Sequence, residues 1–384
     1  MNTTAKVNGN DLRRAIKSAL SIVVKNPSLR IVEDVLLAIQ ENSLTVEAEN
    51  TEAHYTMTID AKTEGYTEYA AIHYEDIKRI LNIKGDEITV EINAIYGENT
   101  VTTFSDNKKS MGFKTVTINY AEQWINTFID GNTEQLYTID ADDLIKTLER
   151  CKPFTAKHDM NPLMKGYCIN GTYIEALDGY HAIRCNMPGM IYNTEQHFVI
   201  NPWIDNVRNI FTKTETIIFS YYNDKFVTLV ASNGSTKITY NCRIMQGQPF
   251  PLDQAIPKSN GIAEMNINAD DLKAICKEAA SYTKKEKMPI HFYANNGKGI
   301  ISLAMSNFKY EEKFYPNSYT GVEMYSGYKA AYMLDGLNAF DGDVTIHYHG
   351  NLQAMVIEQN GDITLVLPVR LEISRKDALE KAIA

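Results

Sequence analysis

Adjacent carboxylates, alternating histidines and repeated basic pairs are the side chains of this sequence whose types and spacing could do chemistry. Asp142-Asp143 and Asp270-Asp271 resemble ligands of a two-metal site. His347 and His349 alternate along a strand and so share a face that could hold a metal. His158-Asp159 is a potential acid/base pair. Each has a simpler reading. The carboxylate pairs recur at helix starts, where they favour the positive helix end. The two histidines have no third ligand suggested nearby, and His158-Asp159 lies in a loop without a candidate nucleophile. The sequence contains no Walker loop, GxGxxG, GxSxG or HExxH. A non-enzyme without metal or cofactor is expected.

Positive charge is more patterned. Arg13/Lys17, Lys146/Arg150 and Lys273/Lys277 each stand at i and i+4, on the side of a helix opposite its apolar stripe. Arg14 and Lys25 lie alongside the first pair, and Lys78, Arg79, Arg208 and Lys329 fall on further helices. The formal net charge is −10, which argues against a surface that grips nucleic acid all over. The same ridge recurring in an acidic chain points instead to one shared surface facing a polyanion, through phosphate contacts that carry no base specificity.

The elements that position these groups are repeated. Val7 to Leu12 reads VNGNDL, Ile139 to Leu144 reads IDADDL, and Ile267 to Leu272 reads INADDL, each about one small domain from the next. The phrase describes a strand end running into a capped helix. About half a domain later a second helix opens at Ile72-His73-Tyr74-Glu75-Asp76-Ile77, at Ile200-Asn201-Pro202-Trp203-Ile204 and at Gly327-Tyr328-Lys329-Ala330-Ala331-Tyr332. The reading is an α+β protein of three tandem copies, each with two helices embedded in strands. Its domains are expected at 1–130, 131–258 and 259–371, with a charged, helix-prone tail at 372–384.

Composition agrees. A chain of 384 residues with 44% hydrophobic content is long for one core and ordinary for three. It has no apolar run long enough to span a membrane, and its N-terminus is too polar for a signal peptide, so a soluble, cytoplasmic protein is expected. Cys151, Cys168, Cys185, Cys242 and Cys276 are scattered and read as reduced structural thiols. Asn170-Gly171-Thr172, Asn233-Gly234-Ser235 and Asn360-Gly361 read as hairpin turns. Leu12, Ile16, Ala19 and Leu20 form the apolar stripe of the first helix. The second copy's helix is expected to bury Leu144, Ile145 and Leu148 and to expose Lys146 and Arg150. The third copy's is expected to bury Leu272, Ile275 and Ala279 and to expose Lys273 and Lys277.

Local phrases then resemble a known family, the bacterial DNA polymerase III β subunit or sliding clamp. Residues 176–183 (ALDGYHAI) are similar to the family's ATDGHRLA turn. Leu367-Pro368-Val369-Arg370-Leu371 is similar to its terminal MPMRL, the segment from Gly247 to Pro257 to its G-x-F-P-x-x-x-x-x-x-P linker, and Lys25 to Leu29 to its RPTL-type loop. The resemblance covers about residues 5–371. It implies three clamp domains per chain and two chains joined head to tail in a closed six-domain ring. Helices would line the hole and sheets would lie outside. The implied function is a processivity factor that encircles duplex DNA and tethers polymerase and clamp-loader subunits through short peptides.

By the same resemblance, Arg13, Arg14, Lys17, Lys25, Lys78, Arg79, Lys146, Arg150, Arg208, Lys273 and Lys277 would face DNA. The peptide pocket would involve Ile169, Leu177, Gly179, Tyr180, His181, Ile183, Pro251, Tyr332, Leu352, Leu365, Leu367, Pro368, Val369 and Arg370. Met111, Phe113 and Tyr282 would join the two chains. Departures are present: Leu177 stands for the family's Thr, Tyr180-His181 for its His-Arg, Gln254 or Asp253 for its linker arginine, and Asn26 for a loop arginine. The chain also continues past the terminal motif. This divergence fits a clamp from a phage or mobile element with its own polymerase and an altered partner motif. Two rival readings remain: a monomeric repeat scaffold that binds peptides, and a metal enzyme around His347 and His349.

Overall fold

The computed structural model describes residues 2–25, 27, 30–93, 100–115, 134–158, 161–187, 197–222, 225–283, 288–372 and 374–383. Asn26, Asp159 and most of the 119–135 crossover lie outside the described residues. The first copy of the repeat runs β1 (Asn2–Asn8), α1 (Gly9–Ala19), β2 (Asp34–Gln40), β3 (Ser43–Glu49), β4 (Ala53–Glu64), β5 (Glu68–His73), α2 (Tyr74–Ile77), β6 (Glu87–Asn93), β7 (Thr100–Ser105) and β8 (Ser110–Thr115). The second runs β9 (Glu134–Asp140), α3 (Ala141–Cys151), β10 (Tyr167–Asn170), β11 (Tyr173–Leu177), β12 (His181–Asn186), β13 (His197–Ile200), α4 (Val207–Ile210), β14 (Thr216–Tyr222), β15 (Phe226–Asn233) and β16 (Thr236–Met245). After the short α5 (Leu252–Ala255) in the proline-rich connection, the third runs β17 (Ala263–Asn268), α6 (Ala269–Thr283), β18 (Ile290–Asn295), β19 (Lys298–Ala304), β20 (Lys309–Phe314), β21 (Ser318–Gly321), β22 (Met324–Tyr328), α7 (Ala330–Asn338), β23 (Asp343–Tyr348), β24 (Met355–Gln359) and β25 (Asp362–Val366). A last helix, α8 (Lys376–Ile383), follows.

The repeated phrase forms the local structure its chemistry dictates. Asn8 accepts from the backbone N–H groups of Asn10 and Asp11 at 2.9 and 3.2 Å, and Asn268 accepts from that of Asp270 at 3.0 Å. Asp142-Asp143 and Asp270-Asp271 sit in first turns, as capping predicts. Asn201 caps its own helix through Trp203 N, with Pro202 in the first turn, where a missing N–H costs nothing. The helix expected over 74–83 is one α turn followed by a 3-10 segment to Asn82. Asn360 and Gly361 both have positive φ (54° and 85°), the geometry a tight two-residue hairpin requires.

The chain divides into two compact units. One comprises Met1–Ile145, Pro188–Asn193 and Ile200–Met245, and the other Lys146–Met187, Thr194–Val199 and Gln246–Ala384. The middle copy contributes strands to each. In the first unit one antiparallel sheet runs β5-β2-β3-β4-β16-β15-β14-β9, so the first copy's strands continue into the second copy's through β4 and β16. In the second unit a sheet runs β10-β11-β12-β25-β24-β23-β17-β21, and the second copy continues into the third through β12 and β25. The strands β8-β7-β6-β1, which β1 joins to the far end of β4 within the first copy, and the separate sheet β22-β18-β19-β20 meet no strand of another copy among the described residues.

Each first helix buries the expected stripe: Leu12, Ile16 and Ala19, then Leu144, Ile145 and Leu148, then Leu272, Ile275 and Ala279. Leu20 is only half-buried. All five cysteines are buried and free, and burial pushes the thiols of Cys151, Cys168, Cys242 and Cys276 up. Among the described residues no helix is long and apolar enough to cross a membrane.

Candidate partner pocket and basic helices

The seam between β12 and β25 opens into a pocket. Leu177, Ala182, Leu252, Ala354, Val356 and Leu365 form one buried apolar cluster, with Met164, Ile256 and Ile363 packed against it. Above it lies an apolar depression of about 80 Å³, lined by Leu177, Gly179, Tyr180, His181, Ala182, Phe250, Leu252, Ala255, Ala354, Leu365 and Leu367. Its rim is the turn at Asp178-Gly179. One Asp178 carboxylate oxygen accepts from the backbone N–H groups of Tyr180 and His181 at 2.8 and 3.0 Å and lies 2.8 Å from His181 Nδ1. Gly179 supplies the positive φ (88°) that this turn needs.

A larger cleft of about 600 Å³ adjoins the depression and shares Gly179, Tyr180 and His181 with it. Lys157, His158, Tyr332 and Asp335 are among its other walls. His181 stacks on Tyr332 at 4.3 Å and lies tilted against Phe154 at 4.6 Å, with Nε2 3.5 Å from Asp335. Burial opposes charge on His181, but Asp178 and Asp335 prevail and raise its pKa. Lys329 holds its ammonium 4.6 and 4.7 Å from the ring centres of Tyr180 and Tyr332. An apolar hollow beside an aromatic, charged shelf suits a peptide with one large apolar side chain and polar neighbours.

The residues expected here separate into groups. Leu177, Gly179, Tyr180, His181, Leu365 and Leu367 line the depression, and Tyr332 lines the cleft. Ile169 and Ile183 are fully buried. Both lie in the interior and outside the lining. Leu352 is 90% exposed and Pro251 and Arg370 are exposed, outside the lining; Pro368 and Val369 are half-buried beside it. Phe250, Leu252, Ala255, Ala182 and Ala354 were not anticipated. Phe250 sits in the G-x-F-P phrase of the linker, which was its available signal.

The basic residues also sort. Lys17, Lys25, Lys78, Arg79, Lys146, Arg208 and Lys277 are exposed, and Arg79 lies 3.6 Å from Asp76. Arg150 and Lys273, expected on exposed faces, are not free. Lys273 donates to the Phe340 carbonyl at 2.6 Å and to Asp270 at 2.8 Å. Arg13 likewise donates to the carbonyls of Ile83 and Gly85 at 2.9 and 3.0 Å. Arg14 donates to the Ile210 carbonyl at 3.0 Å and Glu215 at 2.7 Å, and Arg150 to the Ala339 carbonyl at 2.8 Å and Asp362 at 2.7 Å. Helical periodicity placed these side chains outward, but each reaches carbonyls at or just past the end of a second helix, where negative partial charge collects.

Met111 and Phe113 lie on β8; Phe113 is buried edge-on against Phe104, and Met111 is half-buried. Tyr282 is exposed on α6 and packs against Phe308 and Tyr310, with ring centres 4.8 and 5.5 Å apart. His347 stands between Glu264 and Glu358 at 3.4 and 3.3 Å, and His349 reaches the Ser259 carbonyl. Two other groups of potential metal ligands occur among the described residues, Cys168/Glu175/His197 and Glu47/Glu49/His54. In the first, the Arg184 guanidinium already neutralises Glu175. In the second, His54 bonds Glu47 at 2.7 Å.

No family model and no curated protein matches the sequence. Solved structures do match its fold. A putative DNA polymerase III β subunit from Eubacterium rectale aligns over 96% of this chain and 100% of its own, with TM-score 0.81 and 17% identity. A DNA polymerase sliding clamp from Pseudomonas aeruginosa gives 96% and 100%, TM-score 0.82 and 14% identity. The Bacillus subtilis sliding clamp gives 97% and 100%, TM-score 0.79 and 13% identity. The chain therefore has the fold of those clamps along nearly its whole length.

Proposed function

We propose that this chain is a DNA sliding clamp, a non-enzymatic processivity factor that encircles duplex DNA and tethers a polymerase through a peptide pocket. The observation that carries the reading is the bookkeeping of strand edges. By repeat position, β4, β12 and β20 are equivalent, and so are β8, β16 and β25. The chain pairs β4 with β16 and β12 with β25. Among the described residues β20 pairs only with β19, and β8 only with β7. One β20 and one β8 are thus left over, the two halves of a third seam of the same kind. A head-to-tail contact that uses them between two chains closes on itself. Six domains, at 1–130, 131–258 and 259–371 of each chain, make that ring.

Met111 on β8, and Tyr282 with Phe308 and the β20 residue Tyr310, then meet across the junction, while Phe113 is buried against Phe104 within its own chain. The exposed cations Lys17, Lys146, Lys277, Lys78, Arg79 and Arg208, with Lys25, serve the DNA-facing surface, while the acidic remainder repels DNA from the outside. Arg13, Arg14, Arg150 and Lys273 shape that surface by fixing helix ends. The hollow at Leu177, Leu365 and Leu367 takes the apolar anchor of a polymerase or clamp-loader peptide. Work of this kind places the protein in the cytoplasm.

Light scattering on a dilution series, followed by retention on nicked circular DNA, tests the proposal. A species of two chains that stays on the circle and runs off after linearisation is expected. A strict monomer that circles and linear DNA retain equally would overturn it in favour of a monomeric peptide scaffold.

A further inference from the structure

The wall of the pocket is continued by the last part of the chain, and that part is tied down by residues outside the pocket lining. β25 ends at Val366, and the chain then runs without regular pairing. Leu367, 43% exposed on the pocket rim, donates its N–H to the Tyr180 carbonyl at 3.0 Å. Val369 makes an isolated bridge to Gly327, donating at 2.9 Å. Leu371 packs onto the bare backbone of Gly327, where an added Cβ would lie 2.6 Å from its Cδ2. Those few contacts hold a segment that must keep its shape if the pocket is to keep its shape.

Beyond it the anchoring becomes dense. Arg375 is the hub: its N–H donates to the Tyr325 hydroxyl at 2.9 Å, and its guanidinium reaches Ser302 Oγ at 2.6 Å and Glu311 at 2.8 Å. Helix α8 then lies on β18 and β19, with Leu379 and Ile383 buried against Tyr293 and Ile300. Lys376 pairs with Glu323, and Lys298 caps the far end through the Ile383 carbonyl at 3.0 Å. The helix has an apolar stripe at i and i+4, which explains why it docks rather than extends.

We propose that α8 and Arg375 form a strut that holds residues 367–371 in the peptide-receptive shape, so that partner affinity depends on a helix that touches no partner. The proposal rests on the pocket reading above. A wall segment anchored at both ends loses its disorder once, on folding; a segment anchored only by β25 loses it again each time a peptide binds. Fixing one backbone residue is worth on the order of a tenfold factor in affinity. Leu379 and Arg375 are positioning residues in this arrangement.

Hydrogen exchange of the full-length protein and its Leu379→Asp variant, read at the Leu367 and Val369 amides, is the test. Arg375→Ala and truncation after Leu371 serve as independent ways to release the strut. Exchange about tenfold faster at those two amides, with β24 and β25 unchanged, is expected. In parallel, a labelled peptide selected from a random displayed library, and displaced when Leu177 is replaced by Arg, should bind the released variants about tenfold more weakly. Unchanged amide protection in all three variants overturns the strut. Faster exchange with undiminished peptide affinity overturns its role in binding. Failure to select any peptide that depends on Leu177 defeats the pocket reading itself, whatever the amides do.

Discussion

The two seams between copies are built on the same plan and end differently. At β4–β16 seven residue pairs are in register, from Thr236↔Ile59 to Cys242↔Ala53. At β12–β25 there are four, from His181↔Val366 to Arg184↔Ile363. Both are backed by an arginine from a first helix, reaching a carbonyl at a second-helix end and a carboxylate: Arg14 with Glu215, Arg150 with Asp362. The longer ladder is crossed by a polar row, in which Thr228 donates to Asn241, and Asn241 and Glu47 flank the His54 ring. The shorter one has its last paired residues at His181 and Val366, is closed by one further bond from Leu367 N–H to the Tyr180 carbonyl, and borders the apolar hollow. The hollow here lies where a short strand ladder borders an apolar cluster.

The largest effect should come from the shared arginines. Arg14→Ala and Arg150→Ala each remove the cation beside a half-buried carboxylate, which keeps only backbone donors (Thr212 N–H for Glu215, Asn186 N–H for Asp362), and the donor to a helix-end carbonyl, and each should cost about 2 kcal/mol in urea unfolding. A much smaller loss at one of them would show that the two seams are not electrostatic equivalents. Next, Leu367→Asp should weaken capture of the library-selected peptide at least about tenfold while moving the melting temperature little, since the side chain is already partly in water. An equal loss of stability would make Leu367 part of the core.

A smaller effect separates the seams by pH. Glu49, opposite His54 on β3, is pushed up to about 7, first by burial. The unfolded chain releases that proton near 4.5, so the folded chain holds an extra proton between those values and stability falls as pH rises through the window. Glu49→Gln should flatten the melting temperature between pH 5 and 8, measured by differential scanning calorimetry. At the other seam burial also raises Glu175, against the lowering pull of the Arg184 guanidinium, so Glu175→Gln would remove an ion pair as well as a titrating group and should lower the melting temperature across the whole range.

The smallest concerns the strut. Burial, then the Arg375 charge, lowers His291 to about 4, so stability drops as pH falls from 6.5 toward 4, where the unfolded chain protonates first. Arg375→Ala should shift the His291 imidazole titration upward by NMR. An unmoved titration would mean that Arg375 is not seated beside it.

Sequence by itself determined the repeat, because capping and helix periodicity are local. Asn8, Asn268 and Asn201 cap as their neighbours dictate, and Asn360-Gly361 turns as two such residues must. By resemblance, the phrases at 176–183 and 367–371 also pointed to the Asp178-Gly179 turn and to Leu367, both of which border the hollow. Tertiary structure decided the rest. Leu252 and Ala354 enter the hollow only because β12 pairs with β25 across a long stretch of chain, and no local pattern encodes that pairing. Arg14 and Arg150 look like free surface cations along one helix; only when the next copy's helix end arrives do they become its caps. The tail was legible as charged and helix-prone, but where it lands depends on Tyr293 and Ile300, which the sheet alone brings to that face.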